Sequence, residues 1–552
     1  MQGQAENVSV SHPVYQFLKR LGVKGLVERF DDAVLPFSRK TIAGYLDEIN
    51  NRKDDLTRVE KDLLADYVVE FEYDLYGTIG NTHRLINSPD SSLDETVKDF
   101  FSEKEKYLYV YTDSSIVFFV DGLLTLDTRQ SRGDALDHAS ATFVQFGGRI
   151  RGSIDKKLGI YLHGTNAQFW GSRDVLRRDK IISQSYALNS VDVQNFDHIE
   201  GYVRYDGGIV AAQVGRERVL WGNGYGDKVI LSDNIRQFDF IRAEAVYKAM
   251  KYTFLHAWLL GKRSQVVYAL PSDPSYSFVE PVNADKYFAG HRLGLSFPHL
   301  LDVGFQEMVI YSNRSPDLAY LNPVTLIESA QRSRGERDNV LWAFDFRAHF
   351  IPDVEVQGTV LLDDLNFPRW GTGSIQNKNA FQLGALWVDA LGFKNSSWFV
   401  EYTRVEPYTF SHNRSRDNDY GSGGQILGHH IGPNSDSWFF RFDYYLTSRL
   451  VSSVRFEIQR EGENIYDGIT DTLIQNVGGD FLQPHRSGED SDQKEFLGGN
   501  FVKTHRLQAL LTYEIVNEVF LDARYEIIRR RESVNGVETL DHDFGVVLRI
   551  DF

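Results

Sequence analysis

The sequence predicts a mostly β fold: a transmembrane antiparallel β-barrel of about 18 strands with a small α-helical bundle at its periplasmic end. Up to about residue 75, apolar side chains recur at helical spacing, whereas from about residue 116 onward they alternate with polar ones. Short and long connections alternate between these segments, as a barrel spanning an outer membrane requires. The chain also finishes on an alternating segment that ends with Phe552.

The helical region contains three amphipathic segments, each with an apolar stripe at spacings of three and four residues. Short helices of this kind can bury their stripes only against one another or against a larger body. The segments with their expected N-caps are 14–21 after Ser11, 42–49 after Ser38, and 59–71 after Thr57, which begins a capping-box pattern.

The clearest strand is the last one. Its apolar side chains, from Phe544 to Phe552, lie on one face, and Asp543, Arg549 and Asp551 lie on the other. The segments 519–527 and 453–458 alternate in the same way. Because one face of nearly every strand carries charge, that face must meet water or a polar lumen.

The connections divide into eight short turns and nine longer polar segments, which together imply about eighteen strands. The short turns are expected at 155–157, 206–208, 249–251, 298–302, 351–353, 391–394, 447–450 and 516–518. The longer segments are expected near 128–138, 171–194, 220–236, 263–283, 312–336, 366–376, 410–434, 462–499 and 532–537.

The alternative to a barrel is a soluble β-sandwich array or propeller, which would need a repeated unit of 40–50 residues that the sequence lacks. The predicted organisation is a helical periplasmic domain or plug at 1–79, a linker at 80–112 and the barrel at 113–552. With both barrel termini on the short-turn side, the helices lie in the periplasm, where they can plug or cap the barrel.

Composition excludes several classes. The formal net charge of -17 argues against a nucleic-acid partner, because phosphate neutralisation needs a basic surface. With no cysteine in the chain, thiol catalysis, cysteine zinc sites and disulfides are excluded. No apolar run approaches the length of a membrane-spanning helix. The first residues resemble a mature N-terminus with an initiator Met, so we expect a signal peptide to have been removed.

Motifs for catalysis and for cofactors are absent from the sequence, so we predict no catalytic residue, no metal and no cofactor. The pair His429-His430 is a weak candidate for a metal site, since adjacent residues of a strand point to opposite faces, and as a pair in a loop it is interpreted as solvated. Carboxylate pairs such as Asp363-Asp364 are expected by chance in an acidic barrel. A lipase with Ser and His on adjacent strands stays open as an alternative.

The most unusual stretch is 214–234, VGRERVLWGNGYGDKVILSDN, where three glycines alternate with polar and aromatic residues. Alternating glycines permit close approach of backbone or ligand. Aromatic rings suit stacking on sugar rings, and arginine and asparagine suit hydroxyl and carboxylate groups. The predicted carbohydrate-binding residues are Arg216, Arg218, Trp221, Asn223, Tyr225, Asp227, Trp170 and Trp370. Alternatively, the stretch is a structural constriction in the lumen, and Trp170 and Trp370 are membrane-interface anchors.

The segment 215–234, GRERVLWGNGYGDKVILSDN, resembles the signature region of the Wzi family, outer-membrane lectins of capsule assembly. Other similar stretches are YLNPVTLIES (320–329), LLDDLNF (361–367), VEYTRVEPYTFSH (400–412) and LGHHIGPNSDSWFFRFDYY (427–445). The resemblance covers the chain from about residue 10 to its end. It implies an eighteen-stranded barrel with a helical bundle at its periplasmic mouth and a role in tethering surface polysaccharide. The long loops 410–434 and 462–499 and the acidic character leave the particular glycan open.

These observations together predict a monomeric, non-enzymatic outer-membrane lectin that anchors capsular or exopolysaccharide at the cell surface. Its other partners would be outer-membrane lipid and, during insertion, the barrel-assembly machinery. Residues 12–46 also resemble an S-layer-homology module. The alternative function is therefore a porin that conducts solutes or saccharides and grips a cell-wall polymer with its N-terminal module.

Overall fold

The computed structural model describes residues 3–86, 101–185, 188, 194–270, 273–412 and 417–552, without the side chains of 264–281. Within these residues, eighteen antiparallel strands form a closed barrel, which confirms the predicted fold class. The barrel strands, numbered in chain order, are β1 Ile116–Gly133, β2 Asp137–Ile154, β3 Leu158–Gly171, β4 Asn195–Asp206, β5 Val210–Glu217, β6 Phe238–Tyr247, β7 Met250–Leu270, β8 Asp273–Phe297, β9 Leu301–Ser312, β10 Asn339–Ile351, β11 Val354–Asp364, β12 Lys378–Val388, β13 Ser396–Val405, β14 Ser435–Tyr445, β15 Leu450–Glu463, β16 Asn500–Val516, β17 Val519–Glu532 and β18 Glu538–Asp551.

The barrel closes where the last strand pairs with the first, from Asp541 opposite Gly133 to Asp551 opposite Leu123. Closure leaves no free edge, so the ladder hydrogen bonds of the wall are made within the barrel. The outer face is apolar along each strand, as at Leu383, which is 51% exposed. An apolar exterior around a polar interior is typical of a barrel that spans an outer membrane.

All eight short turns and all nine longer connections lie between the strands where the sequence predicts them, with two differences in length. The connection predicted at 128–138 is reduced to 134–136, and the one at 263–283 is a hairpin whose strands run to Leu270 and from Asp273. These strands continue beyond the apolar belt. Polarity therefore marks where a strand leaves the membrane, and it does not mark where the strand ends.

The N-terminal region forms helices that match the three predicted segments and adds a fourth short one. Their bounds are α1 Val14–Val23, α2 Arg39–Asn50, α3 Arg58–Glu70 and α4 Glu72–Tyr76. Ser38 caps α2, and Thr57 forms a capping box with Glu60. The expectation that Ser11 caps α1 is wrong: Pro13 is the N-cap, and the ring of His12 accepts a hydrogen bond from the Val14 backbone at 3.2 Å. No helix in the described ranges has the length and apolar character needed to cross a membrane.

The helices contact inward-facing side chains of the barrel at its short-turn end. Buried Arg20 of α1 pairs with Glu60 of α3 at 3.1 Å and with Asp389 in a short barrel turn. Asp31, which follows α1, lies 3.3 Å from Arg292 of β8. Burial would raise the pKa of Asp31, but Arg292 and Arg347 outweigh it and hold that pKa well below its usual range. These buried ion pairs fix the helical region inside the barrel mouth.

The predicted linker at 80–112 lies partly outside the described residues, because 87–100 are not described. Its described part contains three short strands, Thr82–Arg84, Glu105–Tyr107 and Tyr109–Thr112, the last of which pairs with β1. Tyr107 and Val110 are buried against β1, which explains why this stretch is ordered against the wall. The domain limits proposed from the sequence remain a prediction.

Candidate functional site

The connection between β5 and β6, residues 218–237, folds into the barrel, and we call it the lumen segment. Its strand Leu220–Trp221 pairs with Val34–Leu35 of the N-terminal region. Trp221 also exchanges backbone hydrogen bonds with Leu231 at 2.9 and 3.0 Å. The lumen segment therefore reaches from the long-loop end of the barrel down to the helical region.

Polar side chains of the wall hold the glycine-rich turn of the lumen segment. The Glu401 carboxylate of β13 accepts hydrogen bonds from the backbone of Tyr225 and Gly226, at 2.8 and 3.0 Å. The Tyr225 hydroxyl donates to Glu355 of β11 at 2.9 Å. Asn223 donates to the carbonyl oxygen of Phe346 in β10 at 3.0 Å. The turn is thus tied to three strands of the wall.

Glycine is required at two positions of this turn for different reasons. Gly222 has a φ of +98°, a backbone conformation that other residues rarely adopt. At Gly224, a Cβ atom would lie 2.1 Å from the carbonyl oxygen of Asp227. The spacing that drew attention in the sequence therefore serves a tight turn against the wall.

A second connection, residues 406–434 between β13 and β14, also folds inward; we call it the inner loop, and its residues 413–416 are not described. The backbone of Ser232 donates to Leu427 at 2.8 Å, and the Tyr420 hydroxyl donates to Ile230 at 3.0 Å. Apolar side chains of both connections pack with inward side chains of eight consecutive strands, β6 to β13. One side of the lumen is therefore filled by a continuous apolar core.

A charged bridge joins the lumen segment, the inner loop and β15. The ring of His430 lies 2.9 Å from Asp227 through Nδ1 and 3.1 Å from Glu457 through Nε2. Burial would lower the pKa of His430, but Glu457 and Asp227 raise it to about 10, so the ring is charged at neutral pH. Burial would raise the pKa of Asp227, but the hydrogen bond from His430 holds it well below its usual range.

The interpretation of His429-His430 as a solvated pair is corrected by this arrangement. Both residues lie in the inner loop, their rings stack with centroids 4.7 Å apart, and His429 is buried. Burial and the neighbouring His430 lower the pKa of His429 to about 4. With Asp227 they form one of two described groups that could hold a metal ion. The other is His163, His198 and Glu200, on the inner face of β3 and β4.

The residues predicted to bind carbohydrate fall into two groups. Trp221, Asn223 and Asp227 are buried, and Tyr225 is tied to the wall. Trp221 has 0% exposure, so its ring offers no face to a sugar in this conformation. These four residues hold the lumen segment in place, which is the structural alternative foreseen for this stretch.

The other four predicted residues lie nearer the surface. Arg216 is on the outer face of β5, in a two-point ion pair with Asp239. Arg218 is partly buried just after that strand. Trp170 lies on the outer face at the long-loop end of β3 and is 49% exposed, and Trp370 is 56% exposed in the connection between β11 and β12. The structure thus does not bring the eight residues together in one place.

Sequence reasoning missed the inner face of β14 to β18, which we call the polar wall. The apolar core formed by the two inward connections reaches β6 to β13 only. Arg506 of β16 points inward, opposite Glu457, yet its side chain remains 45% exposed. The alternation of Ser453, Arg455 and Glu457 with apolar residues was visible in the sequence and marks these side chains as lumen-facing.

The fold and the site define a class: a membrane-spanning β-barrel whose lumen is occupied by its own helices and loops. A family profile described as Capsule assembly protein Wzi matches residues 131–526, about seven tenths of the chain. The chain belongs to this family, and it is an outer-membrane protein.

Comparison with solved structures finds matches at low sequence identity, the first of which has a similar fold. Wzi of Escherichia coli, described as an outer-membrane carbohydrate-binding β-barrel involved in group 1 capsule assembly, has 13% identity and a TM-score of 0.56. The alignment covers 98% of this chain and 99% of that one. OprD of Pseudomonas aeruginosa has 10% identity and a TM-score of 0.41, over 78% of this chain and 95% of that one. A search of curated proteins found no match.

Proposed function

We propose that the chain binds capsular or exopolysaccharide and holds it at the cell surface, without catalysis. Membership of the capsule-assembly family supports a role in capsule assembly. The carbohydrate binding described for the E. coli structure supports a polysaccharide as the ligand. The observation that carries the proposal is a lumen that the protein's own segments fill on one side. A barrel occupied by an apolar core on one side and by helices at its periplasmic mouth is suited to tethering a polymer.

Solvent-exposed side chains make the contacts with the glycan. In the connection between β11 and β12, Trp370 and Phe367 are both more than half exposed and offer planar faces to sugar rings. The arginines of the polar wall add charged donors. A repeating polymer that touches several such places gains avidity, because each further contact is intramolecular. We further propose that the protein acts as a monomer embedded in outer-membrane lipid and is inserted by the barrel-assembly machinery.

The test compares cells from which the gene has been deleted with the same cells after the gene has been restored. Cells with the wild-type chain should keep most polysaccharide cell-bound, and cells without it should release the polysaccharide into the medium. The double variant Phe367→Ala with Trp370→Ala should reduce retention, whereas Leu391→Ala in a short turn at the other end should not. Equal retention with and without the gene would refute the proposal.

Conduction of solutes is the second candidate, favoured by the water-exposed polar wall. Arg506 near the middle of the wall and Arg549 nearer its periplasmic end are 45% and 47% exposed, so water reaches both levels of the lumen. Recordings in planar bilayers separate the two functions. A tether should pass little current, and a porin should show stable ionic conductance.

A further inference from the structure

Two histidines and one glutamate lie together on the inner face of the barrel, near the middle of β3 and β4. The pairing of these strands places Glu200 directly opposite His163, and it places His198 opposite Thr165, the next inward residue along β3. The two imidazole rings have centroids 5.0 Å apart. Because strand pairing brings His163 to the other two residues, the absence of metal motifs from the sequence does not bear on this group.

The donor atoms of the three side chains converge, and they have no competing hydrogen bond. The Glu200 carboxylate lies 4.0 Å from Nδ1 of His163 and 3.6 Å from Nε2 of His198, which is too long for a hydrogen bond. In the described part of the chain, no donor hydrogen-bonds to this carboxylate, although its side chain is only 9% exposed. A buried carboxylate without a hydrogen bond is costly, and a cation held between the rings would offset that cost.

The charges around this group favour a cation. The carboxylates around it are Glu200, Glu217, Asp121 and Asp551, and the guanidiniums are Arg149 and Arg218. Arg149 is paired with His163 across β2 and β3, but its guanidinium is held by Asp121. While the histidines are neutral, the carboxylates outnumber the guanidiniums by two, so a divalent cation would balance the local charge.

We propose that His163, His198 and Glu200 bind a divalent transition-metal ion such as zinc. Two imidazole nitrogens and one carboxylate oxygen are a ligand set of metal sites that keep positions open for water. The candidate donor atoms lie within 4.8 Å of one another. Ligand atoms around one zinc ion are about 3.3 Å apart, so each side chain needs to move by only about 1 Å. Both histidine side chains are 22% exposed, so water in the lumen supplies the remaining ligands.

The second described group, Asp227 with His429 and His430, is a poorer candidate. His430 already makes two ion pairs, with Asp227 at 2.9 Å and with Glu457 at 3.1 Å. A metal ion there would displace at least one of them, whereas the group on β3 and β4 has no hydrogen bond to lose. An ion bound by that group would join β3 to β4 on the lumen side of the barrel, whether or not the protein binds polysaccharide.

Metal titration of the full-length barrel in detergent tests the site. The protein carries no histidine tag and is first stripped of metal with a chelator. Zn²⁺ should bind saturably, and Mg²⁺ and Ca²⁺ at the same concentration should not, because they prefer sites built from oxygen ligands. The electron paramagnetic resonance spectrum of bound Cu²⁺ should show coupling to imidazole nitrogens. Absence of Zn²⁺ binding, or a Cu²⁺ spectrum without nitrogen coupling, would overturn the inference.

Variants locate the site. His163→Gln with His198→Gln should remove one equivalent of bound Zn²⁺ and the nitrogen coupling that belongs to it. Glu200→Gln keeps both rings and should weaken Zn²⁺ binding at least about tenfold. His349→Gln, which replaces a single histidine facing Glu355 at 3.4 Å, is the matched control and should bind as the wild type does.

The heat-dependent shift of the folded barrel in electrophoresis confirms that each variant is folded. Unchanged Zn²⁺ binding by the folded double variant would overturn the site on β3 and β4. Loss of the bound equivalent in His429→Gln, with the double variant unaffected, would assign the ion to the second group and would also overturn it. Because these titrations contain no polysaccharide, either outcome leaves the proposed function untouched.

Discussion

At the scale of single residues, burial decides what the tryptophans do. Trp221 is fully enclosed, with its ring 6.1 Å from that of Phe288 in edge-to-face geometry, whereas Trp370 is mostly exposed. Trp221→Ala should therefore destabilise the protein by about 3–5 kcal/mol through the cavity it leaves. Trp370→Ala should change the free energy of unfolding by no more than about 0.5 kcal/mol, because Trp370 lies on the surface. Thermal and denaturant unfolding in detergent check both values, and a small effect at Trp221 would contradict the burial.

The bridge formed by His430 predicts a pH dependence. Because its pKa is raised from 6.5 to about 10, the stability it contributes is complete below pH 6.5 and is lost as the pH rises through 10. The melting temperature of the wild type should exceed that of His430→Gln by an amount that shrinks between pH 6.5 and 10. His505→Gln, on the outer face of β16, is the control. A difference that is constant over this range would contradict the charged bridge.

Sequence reasoning identified the right stretch but not its role. The alternating glycines and aromatic residues of 214–234 did mark a tight, specialised backbone. The partners that bury it are Glu355, Glu401 and Leu427, which are more than a hundred residues away in the chain. No local pattern contains such long-range contacts, so the choice between a ligand site and a structural constriction could not be made from the sequence.

At the scale of secondary-structure elements, the N-terminus of α3 connects the helical region to the barrel. The Thr57 hydroxyl accepts a hydrogen bond from the Glu60 backbone at 3.2 Å and donates one to Asn395, in the turn before β13, at 2.7 Å. Thr57→Ala should cost about 0.5–2 kcal/mol, and Thr57→Ser should cost much less because it keeps the hydroxyl. Unfolding of the helical region, followed by proteolysis, measures the loss; equal cleavage of the two variants would refute this role.

The elements were predicted well where local patterns specify them. Helical periodicity, the capping box and the period of two are properties of neighbouring residues, and they gave three helices and the strand count. The strand ends near 133 and 270 were missed, because hydropathy reports the lipid boundary and the ladder continues beyond it. The cap of α1 was missed since Pro13 and His12 replace the serine side chain.

At the scale of the whole molecule, the outward apolar face makes the barrel a membrane protein. Leu383 lies in the middle of β12 on that face. Leu383→Arg should destabilise the folded barrel in a bilayer by about 2–4 kcal/mol. This is the range for arginine at a lipid-facing position at the membrane midplane. Leu391→Arg, in a short turn outside the membrane, should have little effect. The yield of folded barrel in lipid vesicles measures both, and equal yields would contradict the orientation of the wall.

The central claim is that this outer-membrane barrel holds polysaccharide. The most direct measurement is a calorimetric titration of the full-length, detergent-purified protein with surface polysaccharide from its own cells. The claim predicts saturable binding that is retained in the presence of excess neutral detergent micelles. No heat of binding at any accessible polymer concentration, from a protein shown to be folded, would contradict it.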